Sequence, residues 1–147
     1  MKSRVIHEAQ GLRTIVAVLG IGDEVSRCLQ ELAETEKLSA AQITAIGAFK
    51  DAVLTYWDWD TKEYQEIPVR DQVEVLSLNG DITLDSSGKP KLHLHTVLGR
   101  RDGAAIGGHL KEAHVRPTLE VIVTEAPAHL RRRHDPETGL SLIAIQE

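Results

Sequence analysis

Histidine is the residue type in this chain whose spacing most directly suggests chemistry. Seven are present, and two fall in the alternating run Leu92-His93-Leu94-His95-Thr96-Val97. If that run is a strand, residues two apart share a face and their Cα atoms lie about 7 Å apart. Two imidazoles can then converge on one ion. A third ligand must come from elsewhere. His109 follows Gly107-Gly108, and glycines let a backbone approach closely or take positive φ. We therefore expect His109 to reach the pair from a loop. Three histidines with an open position form the pattern of catalytic zinc. The same spacing also fits two polar residues on a wet strand face, so His93, His95 and His109 are candidate ligands by residue type alone. His7, His114, His129 and His134 are expected at the surface.

A carboxylate is the natural companion of such a centre. Glu120 lies in a later apolar strand, Thr118 to Thr124. On a strand neighbouring the histidines it would move protons as a catalytic acid–base group. The alternative is a solvent-facing carboxylate.

The elements that must position these groups read as α+β: a mainly antiparallel β-sheet with one principal α-helix. Thr14 to Leu19 is a β-branched, apolar strand. Gly20-Ile21-Gly22 punctuates it, with Asp23 as the expected N-cap. Val25, Cys28, Leu29, Leu32 and Ala33 then follow the helical period to about Lys37. Ile43 to Phe49 reads as a buried strand ending near Gly47. Val53 to Asp58 and Glu63 to Val69 flank a hairpin connection. Further strands are expected at Val73 to Leu78, Asp81 to Leu84, Leu92 to Leu98, Thr118 to Thr124 and Leu140 to Ile145. Gly20-Ile21-Gly22 lacks the third glycine of a dinucleotide loop, and the β-rich remainder is wrong for a parallel sheet.

Composition sets the limits. The 147 residues, 41% hydrophobic and 27% charged, fit a single domain spanning 1–147 without repeat or linker. Aromatics are 3%, so platforms for stacking bases are scarce. Net charge is -5, which repels phosphates. Only Arg131-Arg132-Arg133 forms a compact basic group. It reads as a solvated loop, with an anion or phosphate contact as the alternative. Arg100-Arg101-Asp102-Gly103 reads as a turn whose arginines could lie beside the histidines. Cys28 is single, so no intrachain disulfide can form, and a buried, inert thiol is expected. No signal peptide or membrane span is visible, and a soluble cytoplasmic protein is the expectation.

Four segments resemble the plant- and prokaryote-conserved (PPC) domain family. They are Ile43-Thr44-Ala45-Ile46-Gly47-Ala48-Phe49, Val73 through Gly80, Gly88-Lys89-Pro90-Lys91-Leu92-His93-Leu94-His95, and Asp102 through Leu110. The resemblance spans nearly the whole chain. It implies a PPC-like α+β fold, a homotrimer, and a bound metal, usually zinc, at His93, His95 and His109. It also implies a DNA-binding or regulatory role. Two departures weigh against the plant role: no Arg-Gly-Arg-Pro hook is present, and Asp71-Gln72-Val73 stands where plant domains carry Gly-Arg-Phe. The ligand pattern is also similar to that of acetolactate decarboxylase, a zinc lyase, as an analogy only. Two functions follow as expectations. One is an oligomer binding DNA weakly or a regulatory partner. The other is a zinc-dependent lyase- or hydrolase-like enzyme acting on a small anionic substrate.

Overall fold

The computed structural model describes residues 1–145. Its elements, in order, are β1 (Lys2–Ala9), β2 (Leu12–Leu19), α1 (Val25–Thr35), β3 (Ala40–Asp58), β4 (Glu63–Val69), β5 (Val73–Leu84), β6 (Pro90–Gly99), β7 (Ala105–Glu125), β8 (Arg131–His134) and β9 (Ser141–Ala144). The expected antiparallel sheet is present. Among the paired strands only β5 and β8 run parallel, and α1 is the one α-helix among the described residues.

Four strands close on themselves. β3 pairs with β5, β5 with β6, β6 with β7, and β7 returns to β3. Inside lie Phe49, Leu54, Leu78, Leu94, Leu98, Leu110 and Leu119, each at most 4% exposed. Helix α1 buries Val25, Cys28, Leu29, Leu32 and Ala33 and packs on β6 and β7. Burying each of its two leucines contributes about 1.5–3 kcal/mol. As expected, Cys28 is a buried free thiol.

Boundaries depart from the sequence reading where pairing overrides local signals. The helix cap is Glu24 rather than Asp23: its carboxylate accepts from the Ser26 and Arg27 amides. Asp23 instead accepts from the Gly20 amide and pairs with the N-terminal ammonium at 2.8 Å. Gly47 does not end a strand. A register shift between Ala45 and Gly47 carries β3 onward, joining two expected strands into one of 19 residues. Asn79-Gly80 likewise lies inside β5. A Cβ on Gly80 would stand 2.2 Å from the His93 carbonyl oxygen, so this glycine permits close approach of β5 to β6. The basic run is also ordered: it forms β8, which pairs with β9, and its middle residue, Arg132, is buried.

Candidate metal centre

His93 and His95 stand on the same face of β6, with Leu94 buried between them on the other. That much is strand periodicity. His109 does not come from a loop. It sits in β7 directly opposite His95, and the next residue, Leu110, turns into the core. The close approach expected of the glycines is real: a Cβ on Gly108 would lie 3.0 Å from the Thr55 carbonyl oxygen, and one on Gly107 would lie 3.1 Å from that of Thr96. β7 is thereby wedged between β6 and β3.

The three rings form a compact triangle, with centroids 5.0, 5.1 and 5.2 Å apart. One nitrogen of each lies within 4.8 Å of the others, and the Nε2 atoms of His93 and His95 are 3.1 Å apart. Tetrahedral ligation with bonds of 2.0–2.1 Å separates ligand nitrogens by about 3.3 Å, so modest ring rotation would bring the set onto one ion. Burial, and then His93, His95 and Arg132 in that order, hold His109 down to about 4. Burial and His93 also lower His95. Both rings are thus neutral at pH 7, the form that ligates metals. The donor set fits a borderline-soft divalent ion such as zinc.

Two groups of neighbours escaped the sequence reading. The first is an aromatic wall. Tyr64 lies 5.3 Å from His109, ring to ring, and Trp57 meets Tyr64 edge-on at 4.8 Å. Trp57 and Tyr64 are paired across the β3–β4 hairpin, a placement the hairpin signal could have suggested. The second is a polar support behind His93. Arg132 donates to both Asp81 carboxylate oxygens at 2.7 and 3.0 Å and to His93 Nδ1 at 3.1 Å. Burial pushes the Asp81 carboxyl up, but the neighbouring His93 and Arg132 side chains outweigh it and leave it below the ordinary value. No local pattern marks Arg132, because Asp81, Thr83 and His93, which it holds, lie 39 to 51 residues away.

Glu120 is placed differently. It opposes Val18 and Ile46 in the ladder and lines a groove with Val16, Thr44, Leu76 and Asn79. The row that contains His95 runs through Asn79 and Thr44 to Ile122. Glu120 lies two residues beyond that row, on the strand that also carries His109, and is not among the side chains that converge at the histidines. Arg100 and Arg101 line a separate groove with Gln72 and Glu74. Of the other histidines, His114 Nδ1 donates to the Asp51 carboxylate at 2.7 Å, and His129 meets the Ser39 hydroxyl at 2.7 Å.

A family model described as the plants and prokaryotes conserved (PCC) domain matches residues 6–127. No curated protein matches the sequence. Among solved structures, a metal-containing protein of Archaeoglobus fulgidus is 33% identical, with 98% of this chain and 97% of that one covered and a TM-score of 0.83. A candidate DNA-binding protein of Ralstonia eutropha is 29% identical over 90% of this chain and 91% of that one, at a TM-score of 0.83. A Staphylococcus aureus protein similar to α-acetolactate decarboxylase is 12% identical and covers 76% of this chain and 51% of that one, with a TM-score of 0.51; this likeness is one of fold alone. The sequence resemblance and the family match coincide, and the chain belongs to the plants and prokaryotes conserved domain family.

Proposed function

We propose that this chain is a metal-binding PPC-domain subunit whose His93, His95 and His109 hold a divalent ion, zinc by donor type, with a face open to a small anionic ligand. The convergence of three imidazole nitrogens within 4.8 Å carries the reading. The name of the Archaeoglobus relative supports it. Three neutral ligands leave the ion its full charge, which favours an anion in the open position. A bound ion would act as a Lewis acid toward that ligand. The chain's own contribution is to orient the rings, to wall one side with Tyr64, and to support His93 through Asp81 and Arg132. Elemental analysis of the purified protein tests the reading. About one zinc per chain, lost in a His93→Gln, His95→Gln variant, is the expected result; less than a tenth of an equivalent after zinc reconstitution would refute it.

The assembly proposed is a homotrimer. The family resemblance supplies the number, and the surface supplies the reason to associate. Val18, Ile46, Leu76, Val97 and Ile122 are each at least 43% exposed on adjoining strands, an apolar strip of the kind that marks interfaces. A light-scattering mass near three times 16.2 kDa is expected. Within one subunit Glu120 is not among the side chains that converge with the histidines. An acid–base role for it, and with it the enzymatic reading, requires a second copy to bring it there.

A regulatory, DNA-binding role is the second reading, favoured by the name of the Ralstonia relative. Arg132 is committed to Asp81, so the basic run offers phosphates only Arg131 and Arg133. With a net charge of -5, binding should be non-specific and no tighter than about 10⁻⁴–10⁻⁶ M at physiological salt. Fluorescence anisotropy with duplex DNA decides this; nanomolar, sequence-selective binding would make DNA the primary ligand.

A further inference from the structure

We propose that Asp81 and Arg132 are positioning residues that govern which nitrogen of His93 carries its proton, so that metal uptake moves that proton from Nε2 to Nδ1. The second half of this statement rests on the metal reading above; the first half stands without it.

The argument starts from what each group can do. A guanidinium only donates. The Arg132 side chain is 7% exposed and distributes its donors over four partners. Nε donates to the Thr83 hydroxyl at 3.0 Å and one terminal nitrogen to the Ser141 carbonyl at 2.8 Å. The other terminal nitrogen donates to Asp81 and, at 3.1 Å, to His93 Nδ1. His93 Nδ1 must therefore be the accepting nitrogen, and a neutral ring then carries its proton on Nε2. That proton points along the 3.1 Å contact to His95 Nε2, which accepts it. The histidine pair is thus linked by its own hydrogen bond, and Arg132 sets the direction of that bond from behind.

In this tautomer His93 cannot ligate through Nε2, because the lone pair is occupied by the proton. Ligation there requires the proton on Nδ1, and Nδ1 then needs an acceptor in place of the Arg132 donor. Asp81 Oδ2 is in place at 3.6 Å, slightly beyond hydrogen-bonding distance. A small rotation of the ring turns Nδ1 from Arg132 to Asp81, while Arg132 keeps both carboxylate oxygens. The proton count is unchanged: one N–H bond breaks at Nε2, one forms at Nδ1, and solvent water relays the proton. His95 already presents its Nε2 lone pair and needs no such change. The device ties the centre to the β8–β9 hairpin, since Arg132 reaches the site only while β8 is docked.

The full chain, labelled with ¹⁵N-histidine, tests this in long-range ¹H–¹⁵N spectra at pH 8, above the ordinary imidazole range. Metal-free protein should show His93 protonated at Nε2; zinc-loaded protein should show it protonated at Nδ1. Arg132→Met should move the metal-free proton to Nδ1, and Arg132→Lys should restore Nε2 in part. Asp81→Asn should weaken zinc binding about 10–100-fold with the other two histidine signals unchanged. If Arg132 is only a structural clamp, the tautomer of any variant that still folds will be that of the parent. Metal-free wild type with His93 protonated at Nδ1 would overturn the proposal. If wild type takes up no zinc, the metal reading falls, and the metal-free tautomer alone upholds or overturns the role of Arg132.

Discussion

The two faces of the closed sheet are made by alternate residues of the same four strands, yet they obey different physics. Leu94 is 3% exposed and lies between His93 and His95; Ile82 follows Asp81, Leu110 follows His109, and Leu54 precedes Thr55. The inner face is aliphatic, held by non-directional burial that depends on area and fit. The outer face around the histidines is polar and directional: His93 is tied to Arg132 and His95, while Thr55 Oγ1 and Trp57 Nε1 are buried there without a partner. The inner face sets the register and the outer face is read off it. A one-residue slip of β6 against β7 would send the leucines outward and the histidines into the core.

Substitutions can separate the two faces, and Gly80 is where neither can be touched alone. Gly80→Ala drives a methyl into the His93 carbonyl, so core register and ligand placement should fail together. A loss of at least about 3 kcal/mol in urea unfolding is expected, along with loss of zinc uptake. Leu98→Ala, at a fully buried position, should cost about 2–5 kcal/mol while zinc stoichiometry in native buffer stays that of the parent. An equal fall in stoichiometry would mean that the inner face does not act independently. His95→Gln should do the reverse. Zinc affinity by competition titration should fall about 100-fold or more, while the melting temperature of the metal-free protein changes by no more than about 2 °C, as expected for a change outside the core.

The smallest effect separates the faces by pH. His109 titrates near 4 in the folded chain and near 6.5 when unfolded. Below 6.5 the unfolded state takes up a proton that the folded state refuses, so stability is complete above that pH and declines as pH falls toward 4. Chelator-treated protein should melt lower at pH 5.0 than at pH 7.5, and His109→Gln should flatten that difference. An unchanged difference in the variant would remove His109 as its source.

The parts legible in advance were those that depend on neighbours in sequence. Period 2 placed His93 and His95 on one face, and period 3.6 identified Val25, Cys28, Leu29, Leu32 and Ala33 as the buried side of α1. Departures cluster where distant pairing decides. Gly47 and Asn79-Gly80 look like strand ends, but ladders on both sides carry the chain through them. The two glycines before His109 read locally as a loop, yet its strand is held by β6 and β3 together. Arg132 stands between two exposed arginines in sequence and is itself buried.

By itself the sequence determined which residue types could meet a metal, which two of them share a face, and to which family the chain belongs. Each of those is carried by residue identity or spacing along the chain. Only the tertiary structure decided that His109 stands opposite His95, that Tyr64 walls the centre, that Glu120 stays out of the histidine cluster, and that Arg132 and Asp81 support His93. These are matters of register between strands remote in sequence. Register is chosen by how the whole inner face packs, an energy summed over the closed sheet that no local window contains.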